Sequence, residues 1–228
     1  MNNRAGRLRV GVIGSGRVGP VLALALAGAG HELVGITAAG DEAKSRVAAM
    51  LPNLPIAQPD ELIKNSQLVV FAIPGSELPA VVDGFTRAKL WQPGQLVMHT
   101  APEHGYLVFG PAMAQGVIPL AVHPGIVFTG TSMDLIRLKE AVCAVTAPDP
   151  VLPIAQALAV EMGAEPLVIA EADRAAYADS VQAACELGQA VVKNAKQSLT
   201  ALGVADPQKL LAPLLHAAVD EALRSTDT

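Results

Sequence analysis

Leu8-Arg9-Val10-Gly11-Val12-Ile13-Gly14-Ser15-Gly16-Arg17-Val18-Gly19 reads as a buried strand running into a tight glycine turn. Leu8–Ile13 has the apolar content of a parallel strand covered on both faces. Each glycine of the turn has its own reason. Gly14 permits the bend after the strand, Gly16 lets the backbone approach a pyrophosphate, and Gly19 lets the next helix pack on the strand. Arg17–Gly30 then reads as that helix and Glu32–Thr37 as a second strand. A βαβ unit thus closes within about thirty residues, the context in which the spacing has meaning. Amides and dipole at the helix start would face phosphate oxygens. Gly14, Ser15, Gly16, Arg17, Val18 and Gly19 are therefore the expected dinucleotide-binding residues.

Strand-like runs and amphipathic helices keep alternating beyond this unit, the pattern of a sheet with helices on both faces. Strands are predicted at Leu68–Ile73, Gln95–Thr100, Val117–Val122, Ala141–Thr146 and Glu165–Ile169, with a short one through Ile56-Ala57. Helices are predicted over 41–50 and 60–65, N-capped by Asp41 and Asp60, and over Glu77–Phe85, Tyr106–Ala114 and Pro150–Gly163. The pattern changes near residue 170. Tyr177, Val181, Ala184, Gly188, Val191, Ala195, Leu199 and Leu202 recur at three- and four-residue steps, one face of a helix over 171–203. Such a helix is about 50 Å long at ~1.5 Å per residue. Gly203 stops it. Asp206-Pro207 opens a last helix, which Pro213 is expected to kink or restart.

The predicted fold class is α/β, a doubly wound, mainly parallel sheet over 1–170 followed by a small all-helical C-terminal segment over 171–228. Two helices cannot enclose a core of their own. Ala175, Ala183, Ala184, Gly188 and Ala190 leave room for a close neighbour. A homodimer through the C-terminal helices is expected, with folding back onto the sheet domain as the alternative.

Composition excludes several functions. Apolar residues make up 51% of the chain and charged ones 16%, so a core can be buried. Aromatics are 3% and the formal charge is −5, which offers nucleic acid or an anionic membrane neither stacking platforms nor a basic patch. The longest apolar run, Val21–Ala27, falls far short of the ~20 residues of a membrane-spanning helix. Cys143 and Cys185 read as buried thiols in a reducing compartment. Met1-Asn2-Asn3-Arg4-Ala5-Gly6-Arg7 carries no apolar leader before the first strand. A cytoplasmic protein is expected, with a small-molecule substrate as partner.

The second strand ends in Thr37-Ala38-Ala39-Gly40, without the Asp or Glu that an NAD site uses to hold the ribose 2′-hydroxyl. Asp41 and Glu42 come late. Thr37, Lys44 and Arg46 suit a 2′-phosphate, which tilts the expected cofactor toward NADP over NAD. Loops at the carboxyl ends of parallel strands line the ligand crevice, so Pro74 and Ser76 are expected to face the cofactor, Ser76 being equally readable as an N-cap. His99, His104 and His123 also stand at or near strand ends. Each could relay a proton, and each could equally be a hydrogen-bonded loop residue. His123 and His99, with Tyr177 early in the long helix, form the expected catalytic set. No spacing suits a metal site, and none is expected.

The glycine turn, Phe71-Ala72-Ile73-Pro74, His99 with His104-Gly105, His123-Pro124 with Phe128, and Ala176-Tyr177 together resemble the 6-phosphogluconate-dehydrogenase-like superfamily of Rossmann-fold oxidoreductases. The nearest resemblance is to proteins carrying the domain of unknown function 2520, and it runs over nearly the whole chain. It implies NAD(P)-dependent hydride transfer to or from a small carbonyl, imine or hydroxyacid in a cleft between sheet domain and helices. Two alternatives are a non-catalytic dinucleotide-binding dimer, serving as sensor or interaction protein, and a deazaflavin-dependent NADP reductase. The sequence departs from the family pattern at Ala101-Pro102, where Ser-Gly is usual and Thr100 is the nearest hydroxyl. It departs also at Ala178 for His, at Glu186 for Asn, and at Gln197, where Lys193 would otherwise begin Lys-x-x-x-Asn.

Overall fold

β1 (Arg9–Ile13) enters the glycine turn, α1 (Gly19–Gly28) leaves it, and β2 (Glu32–Ile36) returns parallel to β1. In the computed structural model, which describes residues 6–225, this unit extends into a seven-stranded sheet. The reading of Met1–Ala5 as leaderless lies outside the described residues. The other strands are β3 (Leu68–Phe71), β4 (Leu96–His99), β5 (Ile118–Pro124), β6 (Val142–Thr146) and β7 (Glu165–Val168). Their order is β2-β1-β3-β4-β5-β6-β7, and every pairing is parallel except β5 with β6. Chain order reverses at β1, so the topological switch point falls where Gly14 begins, the place at which open α/β sheets bind ligands.

Helices cover both faces. α1 is apolar all round and almost wholly buried, as a helix without a polar face must be. It shares one face of the sheet with α2 (Asp41–Met50), α6 (Asp134–Lys139) and α7 (Leu152–Glu161). α3 (Pro59–Asn65), α4 (Leu78–Arg87) and α5 (Gly110–Met113) cover the other. Strand side chains alternate between the two. Val10, Val12, Leu68, Val70 and Met98 enter the first core, and Ile13, Val69, Phe71 and Val97 enter the second with Trp91 and Phe109.

Local details depart from the sequence reading. Ile56 makes an isolated bridge to Ile36 in place of a strand. Gly40 and Gln58 occupy the N-cap positions assigned to Asp41 and Asp60, which lie inside the first turns; there they still complement the helix dipole. Tyr106–Phe109 is a 3-10 turn ahead of α5. α6 has no counterpart among the predicted helices. It is approached through a loop over residues 125–132 that is rich in glycine and threonine. Cys143 is buried, which pushes its thiol up to about 12 and makes it inert. Cys185 is only partly buried.

Two compact units divide the chain, one ending at Ala178 and the other beginning at Asp179. The division lies inside α8 (Arg174–Ala201) and not at residue 170. The first turn of α8 stays with the sheet because the Arg174 side chain is buried against β5 and β6. In the second unit Gly203, at φ +83°, ends α8 as expected, and Asp206 caps α9 (Pro207–Arg224) by accepting from the Lys209 amide at 3.1 Å. Pro213 lies within an unbroken α9 and does not restart it. Leu187, Val191, Leu214 and Val219 are exposed, and α8 and α9 line an apolar groove of about 870 Å³. Among the described residues no helix is long and apolar enough to cross a membrane.

Candidate functional site

Gly14 takes φ +109°, a left-handed value that L side chains avoid, and a Cβ there would strike the Ala72 carbonyl. A Cβ at Gly19 would overlap the Gly14 carbonyl oxygen. Gly16 differs, since its Cβ would meet nothing within 4 Å. Gly14 and Gly19 are thus demanded by the turn's own packing, whereas Gly16 leaves open the space that an approaching phosphate needs. α1 supplies unpaired amides at its start. Pro20 has none to give, so the donors come from the turn and from Val21. Thr37 Oγ1 accepts from the Gly14 amide at 2.8 Å, tying the end of β2 to the turn while its own proton stays available.

The turn separates two cavities. One, of about 710 Å³, is lined by Gly14, Ser15, Gly16, Thr37, Lys44 and Arg46, with the Ala38–Gly40 backbone. Arg46 Nη1 donates to the Ser15 carbonyl at 3.0 Å and Nη2 to Glu42 at 2.7 Å. No carboxylate lines this cavity. The donor set fits a dinucleotide whose pyrophosphate lies over Gly16 and whose ribose end reaches Lys44 and Arg46. The second cavity, of about 330 Å³, is bounded by Arg17, Pro74, Gly75, Thr100, His123 and Phe128. Pro74 lines this second cavity. Ser76 lines neither cavity and is no N-cap, because α4 is capped from Glu77.

His123 Nδ1 lies 2.8 Å from the Tyr177 hydroxyl, with the rings edge to face at 5.6 Å. Behind Tyr177 stands Arg174, its Cζ 5.8 Å from the ring centroid. Arg174 is 1% exposed. Nε donates to Thr146 Oγ1 at 2.7 Å, and Nη2 donates to the Ala121 and Ala144 carbonyls at 3.1 Å. Burial, then the Arg174 charge, lowers His123 to about 4, so it is neutral at pH 7. Burial also raises the Tyr177 phenol, and Arg174 partly offsets this.

His99 is placed differently from expectation. Strand alternation puts it in register with Phe71 and against Phe109, ring to ring at 5.5 Å. Its Nδ1 accepts from Ala101 N at 3.2 Å, and Nε2 donates to the Gly105 carbonyl at 3.0 Å. At 1% exposure, with burial holding it down to about 3, His99 fastens a loop and has no proton to offer a ligand. His104 Nε2 bonds the Gly75 carbonyl at 2.9 Å, and Glu171 accepts from the Tyr106 and Leu107 amides, so the wall loops are pinned by side chains. Sequence reasoning passes over Arg174, Glu171 and Asp134. The one available signal is Arg174 lying three residues before Tyr177, on the same helix face. No cluster of three or more metal-ligating side chains occurs among the described residues.

The sequence matches the Rossmann-like domain family over residues 1–124 and the domain of unknown function DUF2520 over residues 141–228. No curated protein matches it. Solved structures share the fold at low identity. A proposed NADP oxidoreductase from Bacteroides fragilis is 16% identical at TM-score 0.77, over 96% of this chain and 82% of its own. 1-Pyrroline-5-carboxylate reductase from Streptococcus pyogenes is 17% identical at TM-score 0.70, over 97% and 82%. A reductive aminase from Aspergillus terreus, in complex with NADPH4, cyclohexanone and allyl amine, is 16% identical at TM-score 0.67, over 95% and 75%. His123 comes from the first matched region and Tyr177 from the second, so the pair joins the two. The chain belongs to the family of proteins in which a Rossmann-like domain is followed by DUF2520.

Proposed function

We propose that the protein is an NADP-dependent oxidoreductase acting on a small carbonyl, imine or hydroxyacid compound. One observation carries this reading: the Gly16 cradle lies between a cavity walled by cations and a cavity walled by the His123 of a His–Tyr pair. Gly14, Ser15, Gly16, Arg17, Val18 and Gly19 hold the pyrophosphate. Thr37, Lys44 and Arg46 receive the ribose 2′-phosphate, and Pro74 with Gly75 walls the reacting end. A bound nicotinamide supplies the hydride. His123, backed by Tyr177, holds and delivers the proton. NADPH4 in the reductive aminase complex supports the cofactor class. The apolar α8–α9 surface is read as a homodimer face, and the cytoplasm as the compartment.

The test is titration with NADPH and NADH, followed by nicotinamide fluorescence. NADPH is expected to bind more tightly, and Arg46→Glu to remove the preference. Oxidation of NADPH is then followed against 2-oxo acids, aldehydes and cyclic imines. His123→Ala is expected to lower kcat by about 100-fold, within the range for loss of a general acid. Failure to bind either nucleotide overturns the reading. Binding without turnover, unchanged in the variant, replaces it by the non-catalytic one.

A further inference from the structure

Buried cations are ordinarily paired with a carboxylate. Arg174 is not. Among the described residues no acidic group lies within ion-pair distance of it, and its Nη1 has no hydrogen-bond partner despite complete burial. Glu171, the carboxylate that acts on it through space, has both oxygens committed to the Tyr106 and Leu107 amides. A guanidinium that no direct ion pair neutralises therefore stands behind Tyr177, with Glu171 acting on it only at a distance. The front of the same cavity is lined by a second cation, Arg17, and by no carboxylate. The other titratable groups around the pair are His99, His104 and Cys143. The Glu103 carboxylate packs against Gly75, which lines the cavity.

We infer that this cavity takes a neutral carbonyl compound, reduced to an alcohol, and disfavours protonated imines, because the unpaired Arg174 guanidinium stands behind Tyr177, which is bonded to the cavity-lining His123. The inference rests on the proposed oxidoreductase reading and deepens it by choosing the substrate class. In carbonyl reduction the carbon takes the hydride with its two electrons, and the C=O π pair moves to oxygen. That oxygen, developing as an alkoxide, takes the proton on His123 Nε2. His123 Nδ1 takes the Tyr177 phenol proton in turn. The phenolate left behind lies beside Arg174 until solvent returns one proton. An alkoxide is a far stronger base than a phenolate, so each transfer runs downhill. A protonated imine becomes a neutral amine on taking the same hydride. It needs no proton in that step, and it brings a positive charge into a cavity lined by Arg17 and backed by the buried Arg174.

Two readouts test this. Wild-type protein with NADPH is assayed on small neutral aldehydes and ketones, and on 1-pyrroline and 2-methyl-1-pyrroline. Carbonyl turnover is expected to exceed imine turnover at least tenfold in kcat/KM. Arg174→Gln should lower kcat on carbonyls by about 100-fold with little change in KM, spare imine reduction, and be largely rescued by Arg174→Lys. Tyr177→Phe, which keeps the ring, should reproduce the carbonyl loss without disturbing Arg174's bonds to the sheet. The second readout needs no turnover. The chain has two tyrosines, so in a Tyr106→Phe background the ultraviolet titration of Tyr177 should move to higher pH on Arg174→Gln and stay in place on Arg174→Lys. Faster imine than carbonyl reduction, equal loss on both classes, or an unmoved phenol titration overturns the inference. No reduction of either class with NADPH bound overturns it while leaving the nucleotide-binding half of the function standing. Loss of NADPH binding overturns both.

Discussion

At the scale of single residues, Gly16 and Gly19 make opposite predictions from the same motif. A Cβ at Gly16 meets open space, whereas one at Gly19 overlaps the Gly14 carbonyl oxygen. Gly16→Val should therefore leave the melting temperature nearly unchanged while abolishing NADPH binding, and Gly19→Ala should destabilise the fold by about 1–3 kcal/mol through overpacking. Equal melting temperatures for the two variants would contradict this division of labour. His99 and His123 make a prediction about pH. Both have native values pulled from 6.5 down, to about 3 and about 4. Below pH 6.5 the unfolded chain takes up these protons before the folded one, so stability is full above that pH and falls as pH drops toward 4. Each unit of depression corresponds to ~1.4 kcal/mol. Denaturant titrations at pH 7.5 and 5 should show the loss, and His99→Gln, which keeps the bond to Gly105 without a titrating ring, should shrink it. The glycine turn is legible in the sequence because its meaning is local. His99 is misplaced when strand position alone is read. The alternation that sets it beside Val97 and Phe71 already assigns it to the core.

At the scale of elements, strands and most helices are legible because parallel strands buried on both faces are apolar runs with few alternative readings. The loop from Gly125 to α6 is not. Asp134, wholly buried, accepts from the Thr129 and Gly130 amides and from Thr129 Oγ1, each at 2.8 Å. Burial alone would raise its carboxyl, but these bonds outweigh it and the group is held below the ordinary carboxylate range. The loop so formed lays Gly130, at φ +80°, against the Arg17 side chain beside the glycine turn. Nothing in the local sequence period announces a carboxylate that organises the residues before it. Asp134→Ala should cost about 1–3 kcal/mol, because two part-buried amides and a threonine hydroxyl lose their acceptor. It should also speed hydrogen exchange at Thr129 and Gly130 and weaken NADPH binding through the displaced Arg17. Asp134→Asn, which keeps one acceptor oxygen, should fall between. Unchanged exchange at those two amides would show that the loop holds itself by other means.

At the scale of the whole molecule, the boundary seen in the sequence near residue 170 and the boundary seen in the fold at Ala178 differ by about two helical turns, and the difference carries chemistry. Composition marks where strands cease. Arg174 and Tyr177 lie beyond that point yet are held to β5 and β6 by bonds between residues 28 to 54 positions apart, which no sequence window reveals. The helical unit beyond Ala178 has the opposite character. Leu187, Val191, Leu214 and Val219 are each more than half exposed, and Leu187 and Val191 lie one turn apart on α8. Burying a leucine or valine side chain is worth about 1.5–3 kcal/mol, so a unit that leaves these in water has strong reason to associate with a copy of itself. Light scattering at micromolar concentration is expected to give twice the chain mass of 23.4 kDa. Leu187→Glu combined with Val191→Glu places two charges on the apolar groove and should return the protein to the mass of one chain. The first unit should survive that change, with NADPH bound as before, since its glycine turn and both of its cavities lie within residues before Ala178. A single-chain mass for the unaltered protein, or a double variant that stays at twice that mass, would remove the homodimer from the functional reading.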